Sequence, residues 1–127
     1  MAIRKDDNGG DTLIFTCAGA THSGYVASAA GVQLHRERAG SLFCTTALAA
    51  EVPAKLEQAR RAKRRIVIDG CDENCCQKLM LKAKVPVELH VLVTDLGIDK
   101  APHRPDPATD TQRVVAHVLT ELKGGRV

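Results

Sequence analysis

Five cysteines punctuate a chain of 127 residues, at positions 17, 44, 71, 75 and 76. Three of them crowd into IVIDGCDENCCQKL, residues 66–79. Thiolates do two kinds of chemistry: they hold soft metals such as zinc, and they attack electrophilic sulfur or carbon. The opening, MAIRKDDNGGDT, lacks the apolar segment of a signal peptide. No run approaches the roughly 18 apolar residues of a membrane span. The expectation is therefore a cytoplasmic protein with no membrane segment, where thiols stay reduced. There, an odd number of cysteines reads as metal ligands or reactive thiols before it reads as disulfides. Free cysteines also serve as small buried hydrophobes, an account that fits one or two of the five.

The elements around these residues set where the thiols go. Composition points to an aliphatic core: 44% of residues are hydrophobic, but only 2% are aromatic. That is the filling of a parallel sheet flanked by helices. Residues 12–17, TLIFTC, form a short β-branched run that closes on the small-residue turn AGATHSG. The following SGYVASAAGVQLHRE has helical spacing. GSLFCTTALAA reads as a short helix or turn, and a second helix begins near Pro53, a residue suited to a first turn. RIVIDGC predicts a strand, DENCCQKLMLKAK a helix starting near Asp72, and VPVELHVLVTDLGI a third strand. DKAPHRPDPA is a proline-rich surface loop. A last helix starts near Thr109, where Thr-Asp-Thr-Gln has capping-box spacing, and stops before Gly124-Gly125.

Strands separated by helices imply a parallel sheet with right-handed crossovers and helices on both faces. The expected fold is a three-layer α/β domain of Rossmann-like or flavodoxin-like type, spanning residues 1–127, with flexible ends at 1–11 and 123–127. Cys17 and Cys71 then fall just past the carboxyl ends of strands, on the edge where such sheets place their sites. Strands lie about 4.8 Å apart, close enough for two loop thiols to share one ion. Thr94 and Asp95 end the third strand on the same edge. On a helix from Asp72, Cys75 looks back toward Cys71, whereas Cys76 points elsewhere. The helix amino terminus favours thiolate there. Cys17, Cys44 and Cys71 are equally spaced, but their flanking residues do not match and define no repeat.

The triplet Asp69-Gly70-Cys71 followed by Cys75, single cysteines at 17 and 44, and the downstream TDLGIDK together resemble the DGC-domain family. These are small prokaryotic proteins regarded as zinc-binding. The resemblance covers residues 12 to 100. It implies zinc as cofactor and Cys17, Cys44, Cys71 and Cys75 as its ligands. Cys76 matches no expected ligand, so either member of the adjacent pair stays a candidate. His22, Asp69 and Asp95 are candidates to complete or orient the shell. A closed four-cysteine site is normally structural, since catalytic zinc keeps a position for water. That leans against an enzyme and toward a structural, sensing or metal-handling role. The alternative is redox or sulfur-transfer chemistry, with Cys71 as nucleophile and Cys75 as resolving thiol. The spacing differs from Cys-x-x-Cys, which weakens a thioredoxin analogy.

Other motifs carry less. GATHSG could hold an anion at a helix amino terminus, but Tyr25 and Val26 stand where a P-loop needs Lys and Ser/Thr. A glycine turn permitting close packing is the simpler account. KLEQARRAKRR is basic, yet the chain carries only +3 net charge and no aromatic platform accompanies the run, which argues against nucleic acid. His90 and His117 read as packing or surface residues. Neither a protein partner nor a homodimer is indicated.

Overall fold

Alternating side chains give the sheet two apolar faces, and helices cover both. The computed structural model describes residues 11–102 and 106–124. The expected flexible ends fall largely outside those residues, as does part of the proline-rich loop. Four parallel strands, β1 (Thr12–Thr16), β2 (Ser41–Leu42), β3 (Arg64–Asp69) and β4 (Leu89–Leu92), stand in the order β2-β1-β3-β4. Among the described residues this is the flavodoxin-type order without a fifth strand. Helices α1 (His22–Arg36), α2 (Thr45–Ala49), α3 (Pro53–Arg61), α4 (Cys75–Ala83) and α5 (Ala108–Lys123) connect and follow them.

Ile14, Ile66, Ile68 and Val91 project to one face, where Val26, Ala30 and Leu34 of α1 meet Val114, Val115 and Val118 of α5. Leu13, Phe15 and Val67 project to the other, against Leu48 of α2, Ala59 of α3 and Met80 of α4. The three-layer α/β expectation holds.

The sheet has one strand more than the sequence predicts. Ser41–Leu42 is too short to show any period, yet Phe43 continues its pairing by donating its N–H to the Ile14 carbonyl at 2.8 Å. Phe43 then stacks its ring 5.2 Å from that of Phe15. The last strand is shorter than expected. After α4, Lys84 takes a left-handed conformation with φ of 58°, and residues 85–88 form a connection. β4 gives way after Leu92 to a turn of 3-10 helix, Val93–Leu96.

Helix starts also move. α4 begins at Cys75 rather than Asp72, because Asn74 is left-handed, with φ of 53°. α5 begins at Ala108, whose N–H is taken by the Asp106 carboxylate at 3.1 Å. The Thr109 capping box is not used. Among the described residues, no helix is long and apolar enough to cross a membrane.

At the amino edge, Arg65 ties the layers together. Its guanidinium donates to the carbonyls of Ala59, Arg60 and Ala62 and reaches the Glu88 carboxylate through Nε (3.1 Å) and Nη2 (2.7 Å). The arginine is 5% exposed. It closes the carboxyl end of α3 and pins the connection into β4, satisfying orphan helix carbonyls that would otherwise lie buried.

Candidate functional site

Three neighbouring strands each deliver one cysteine to the carboxyl edge. Cys17 follows β1, and its N–H extends the ladder to the Ile68 carbonyl at 3.2 Å. Cys44 follows Phe43 at the end of β2 and caps α2, and the hydroxyl of Thr45 donates to the Thr16 carbonyl at 3.3 Å. Cys71 follows β3 and Gly70, whose N–H donates to the Cys17 sulfur at 3.1 Å. The equal spacing of these cysteines marks three successive strands rather than a repeat of sequence. Connections leave the β1/β3 pair in opposite directions, which makes their carboxyl ends the switch point where open α/β sheets bind ligands.

Glycines bring these loops together. A side chain on Gly70 would place its Cβ 2.7 Å from Gly24 backbone, and one on Gly24 would lie 2.5 Å from the Gly19 Cα. The β1 loop, the start of α1 and the β3 loop therefore stack backbone on backbone. Beside them opens a cavity of about 300 Å³, lined by Cys17, Cys71, Cys75, Glu73 and Lys100 with the small residues of the β1 loop.

Asp69 fixes the start of α4 from a distance. Its carboxylate, 1% exposed, accepts the N–H of Cys76 at 2.8 Å and of Gln77 at 3.1 Å. These are two of the first-turn donors that lack a partner within a helix. The same carboxylate lies 2.9 Å from His90 Nε2 on β4. His90, read from sequence as a packing or surface residue, thus belongs to the hydrogen-bonded frame of the site. An aspartate seven and eight residues before the donors it caps has no local sequence signature.

The thiols differ in environment. Burial raises the Cys17 thiol above its ordinary value, only partly offset by the N–H of Gly70. Burial also pushes Cys76 up to about 12, with the Asp69 charge adding to it. Cys76 packs with Phe15, Val67 and Met80 and behaves as a core thiol. Cys44 and Cys75 are exposed. At the cavity, the Cys71 thiol lies 3.7 Å from Glu73 Oε2, and the Lys100 ammonium lies 3.0 Å from the same oxygen. That hydrogen bond lowers the Glu73 carboxyl and raises Lys100.

The Asp-Gly-Cys triplet thus has a distinct duty for each residue: cap, close contact, thiol. A model of the DGC domain matches residues 13–118 of the chain. The chain belongs to the DGC domain family. A relative, "Anaerobic and virulence modulator AnvM" of Pseudomonas aeruginosa, is 24% identical over 113 residues, covering 89% of this chain and 86% of its own. No solved structure matches.

Around the DGC triplet, other sequence candidates turn elsewhere. His22 is buried, with Nε2 2.8 Å from the Asp110 carboxylate of α5, and it does not line the cysteine cavity. Asp95 is exposed on the 3-10 turn, also away from the cavity lining. The amino terminus of α1 is not open to an anion. His22 and Ser23 donate to the carbonyls of Ala101 and Lys100, and Gly24 donates to the Thr21 hydroxyl. Close packing, not anion binding, explains the GATHSG glycines.

Soft sulfur donors suit zinc, and Cys17, Cys71 and Cys75 share one cavity. Among the described residues, however, no three His, Cys, Asp or Glu side chains stand grouped to hold a metal ion. The donor types match zinc, and the described side chains do not stand as a formed site.

Proposed function

We propose that this DGC protein binds zinc through Cys17, Cys44, Cys71 and Cys75, in a structural, sensing or metal-handling role. The observation that carries this reading is the arrival of one cysteine from each of three adjacent strands at a single edge. A fourth comes from the α4 amino terminus. Closing the set asks most of Cys44 and Cys75, the two exposed thiols. Cys76 is disfavoured as a ligand because it is buried among apolar side chains. Binding zinc displaces thiol protons, so uptake is expected to strengthen as pH rises. The test is metal content after purification without chelator, in the wild type and in each Cys→Ser variant. About one zinc per chain, lost in the variants of the four and kept in Cys76→Ser, supports the reading. Well under one zinc per chain, with Cys71→Ser without effect, ends it.

A second reading rests on Cys71 and Cys75 sharing the cavity. As a dithiol, Cys71 would bond to one sulfur of a partner's disulfide, and Cys75 would then displace that sulfur as a thiol. A Cys71–Cys75 disulfide would remain, and the partner would gain two electrons. A relative described as an anaerobic modulator is compatible with either reading, since zinc thiolates and dithiols both respond to oxidants. Rapid alkylation of Cys71 in folded, metal-free protein favours this second reading. Full protection of all four thiols by zinc counts against it.

A further inference from the structure

The basic run from Lys55 to Arg65 takes no part in the thiol site. Only Ala59 of α3 is buried, so the helix shows most of its surface to solvent. α3 and α4 both run toward the amino edge of the sheet, where Arg60 of α3 donates to the Ala83 carbonyl of α4 at 2.8 Å. Around that junction Arg61, Lys63, Lys82 and Lys84 are exposed. Lys63 pairs with Asp11 at 3.4 Å. Among the described residues, Arg61, Lys82 and Lys84 have no ion pair. Cations near helix carboxyl ends commonly offset the dipole. Here Arg60 and Arg65 already take the terminal carbonyls, which leaves the others in excess.

The same helices enclose a groove of about 200 Å³. Leu48, Leu56, Leu79 and Ala83 form its floor and walls, and Arg60 and Lys82 stand on its rim. Glu51 lines it as well, on the turn between α2 and α3. An apolar groove with Lys82 on its lining, and with Arg61 and Lys84 exposed next to its lining residues in sequence, matches one class of occupant. We infer that this face docks an acidic amphipathic helix of a partner protein. One apolar side chain sits in the groove, and carboxylates meet Lys82 on its lining and the exposed Arg61 and Lys84 that flank the lining residues Arg60 and Ala83. Helix-in-groove recognition works through such anchors, and charge complementarity sets register and on-rate. Nucleic acid fits less well, since its phosphates gain nothing from a leucine-lined groove and no aromatic side chain lines it for base stacking. None of the groove's lining residues lines the thiol cavity.

The test is a methyl NMR titration of the full chain with a designed helical peptide of about 20 residues, long enough to hold helix. The peptide carries Leu on one face and Glu on the other. Saturable binding that shifts the Leu48, Leu56 and Leu79 methyls is expected. Lys82→Glu and Arg61→Glu should each weaken it about tenfold, and a peptide with Gln in place of Glu should bind at least as weakly. Both replaced residues are exposed, and unchanged circular dichroism and melting show that the variants fold. The inference is overturned if the peptide shifts other surfaces or none, or if a short DNA duplex binds the same face more tightly. It is equally overturned if the groove methyls shift with protein concentration alone, which would make the occupant a second copy of the chain.

Discussion

The two edges of the sheet handle buried polar groups in opposite ways. At the amino edge Arg65 is enclosed and saturated, with three carbonyls and a bidentate carboxylate around one guanidinium. That guanidinium is spent on the fold. At the carboxyl edge Asp69 is equally enclosed and fully used, yet it holds in place a row of thiols that spend little of their bonding capacity on the fold. Two of them are exposed and two are half-buried at the cavity or its margin. One edge fastens the layers, and the other fastens a frame so that its sulfurs stay available.

The largest effect should come from emptying the fastening edge. Arg65→Ala strands three helix-end carbonyls and the Glu88 carboxylate, and should cost about 3–5 kcal/mol in urea denaturation. Thiol alkylation rates in the surviving folded fraction should match the wild type. If those rates change as much as stability does, the two edges are not separable.

Gly70→Ala strikes the other edge. The added methyl would meet Gly24 backbone at 2.7 Å, and backbone cannot rotate aside. A loss of about 3 kcal/mol is expected, together with altered alkylation of Cys17 and Cys71, because the cavity walls must part. An alanine tolerated without loss of stability would show that the close backbone stack is not what positions the thiols.

A smaller loss should follow Asp69→Ala, about 2 kcal/mol from two uncapped N–H groups and an unpaired His90. Asp69→Asn should recover part of it, since one amide oxygen can still accept. Cys75 and Cys76 open α4, so faster alkylation of Cys76 should accompany the loss. Unchanged Cys76 protection would mean that α4 is held by packing alone.

These residues also show what the sequence could and could not reveal. The apolar runs Leu13-Ile14-Phe15 and Ile66-Val67-Ile68 marked β1 and β3, because a buried parallel strand leaves a continuous hydrophobic signature. That was enough to place Cys17 and Cys71 on one edge. β2 escaped because two residues carry no period; Phe43 and the equal cysteine spacing were the only hints of it. The start of α4 and the role of His90 escaped for another reason. Both depend on Asp69 reaching across space, and local pattern reads only neighbours in sequence. Cys44 had no predicted strand to place it, for the same reason that β2 was missed.

The smallest expected effect is one of pH, on the pair that spans α1 and α5 at the thiol-bearing edge. His22 Nε2 hydrogen-bonds the Asp110 carboxylate and holds it below its ordinary value of 3.8, with Arg113 assisting at 3.3 Å. A carboxyl held low binds fewer protons folded than unfolded. Its contribution is therefore complete above the unfolded value and is lost as pH falls through the folded one. Asp110 is 28% exposed, so the contribution should not exceed about 1 kcal/mol. Melting of wild type and Asp110→Asn from neutral pH down into strong acid should show a gap that is constant near neutrality and closes in acid. A gap that stays open in strong acid would mean that Asp110 acts through packing or a neutral hydrogen bond and not through its charge.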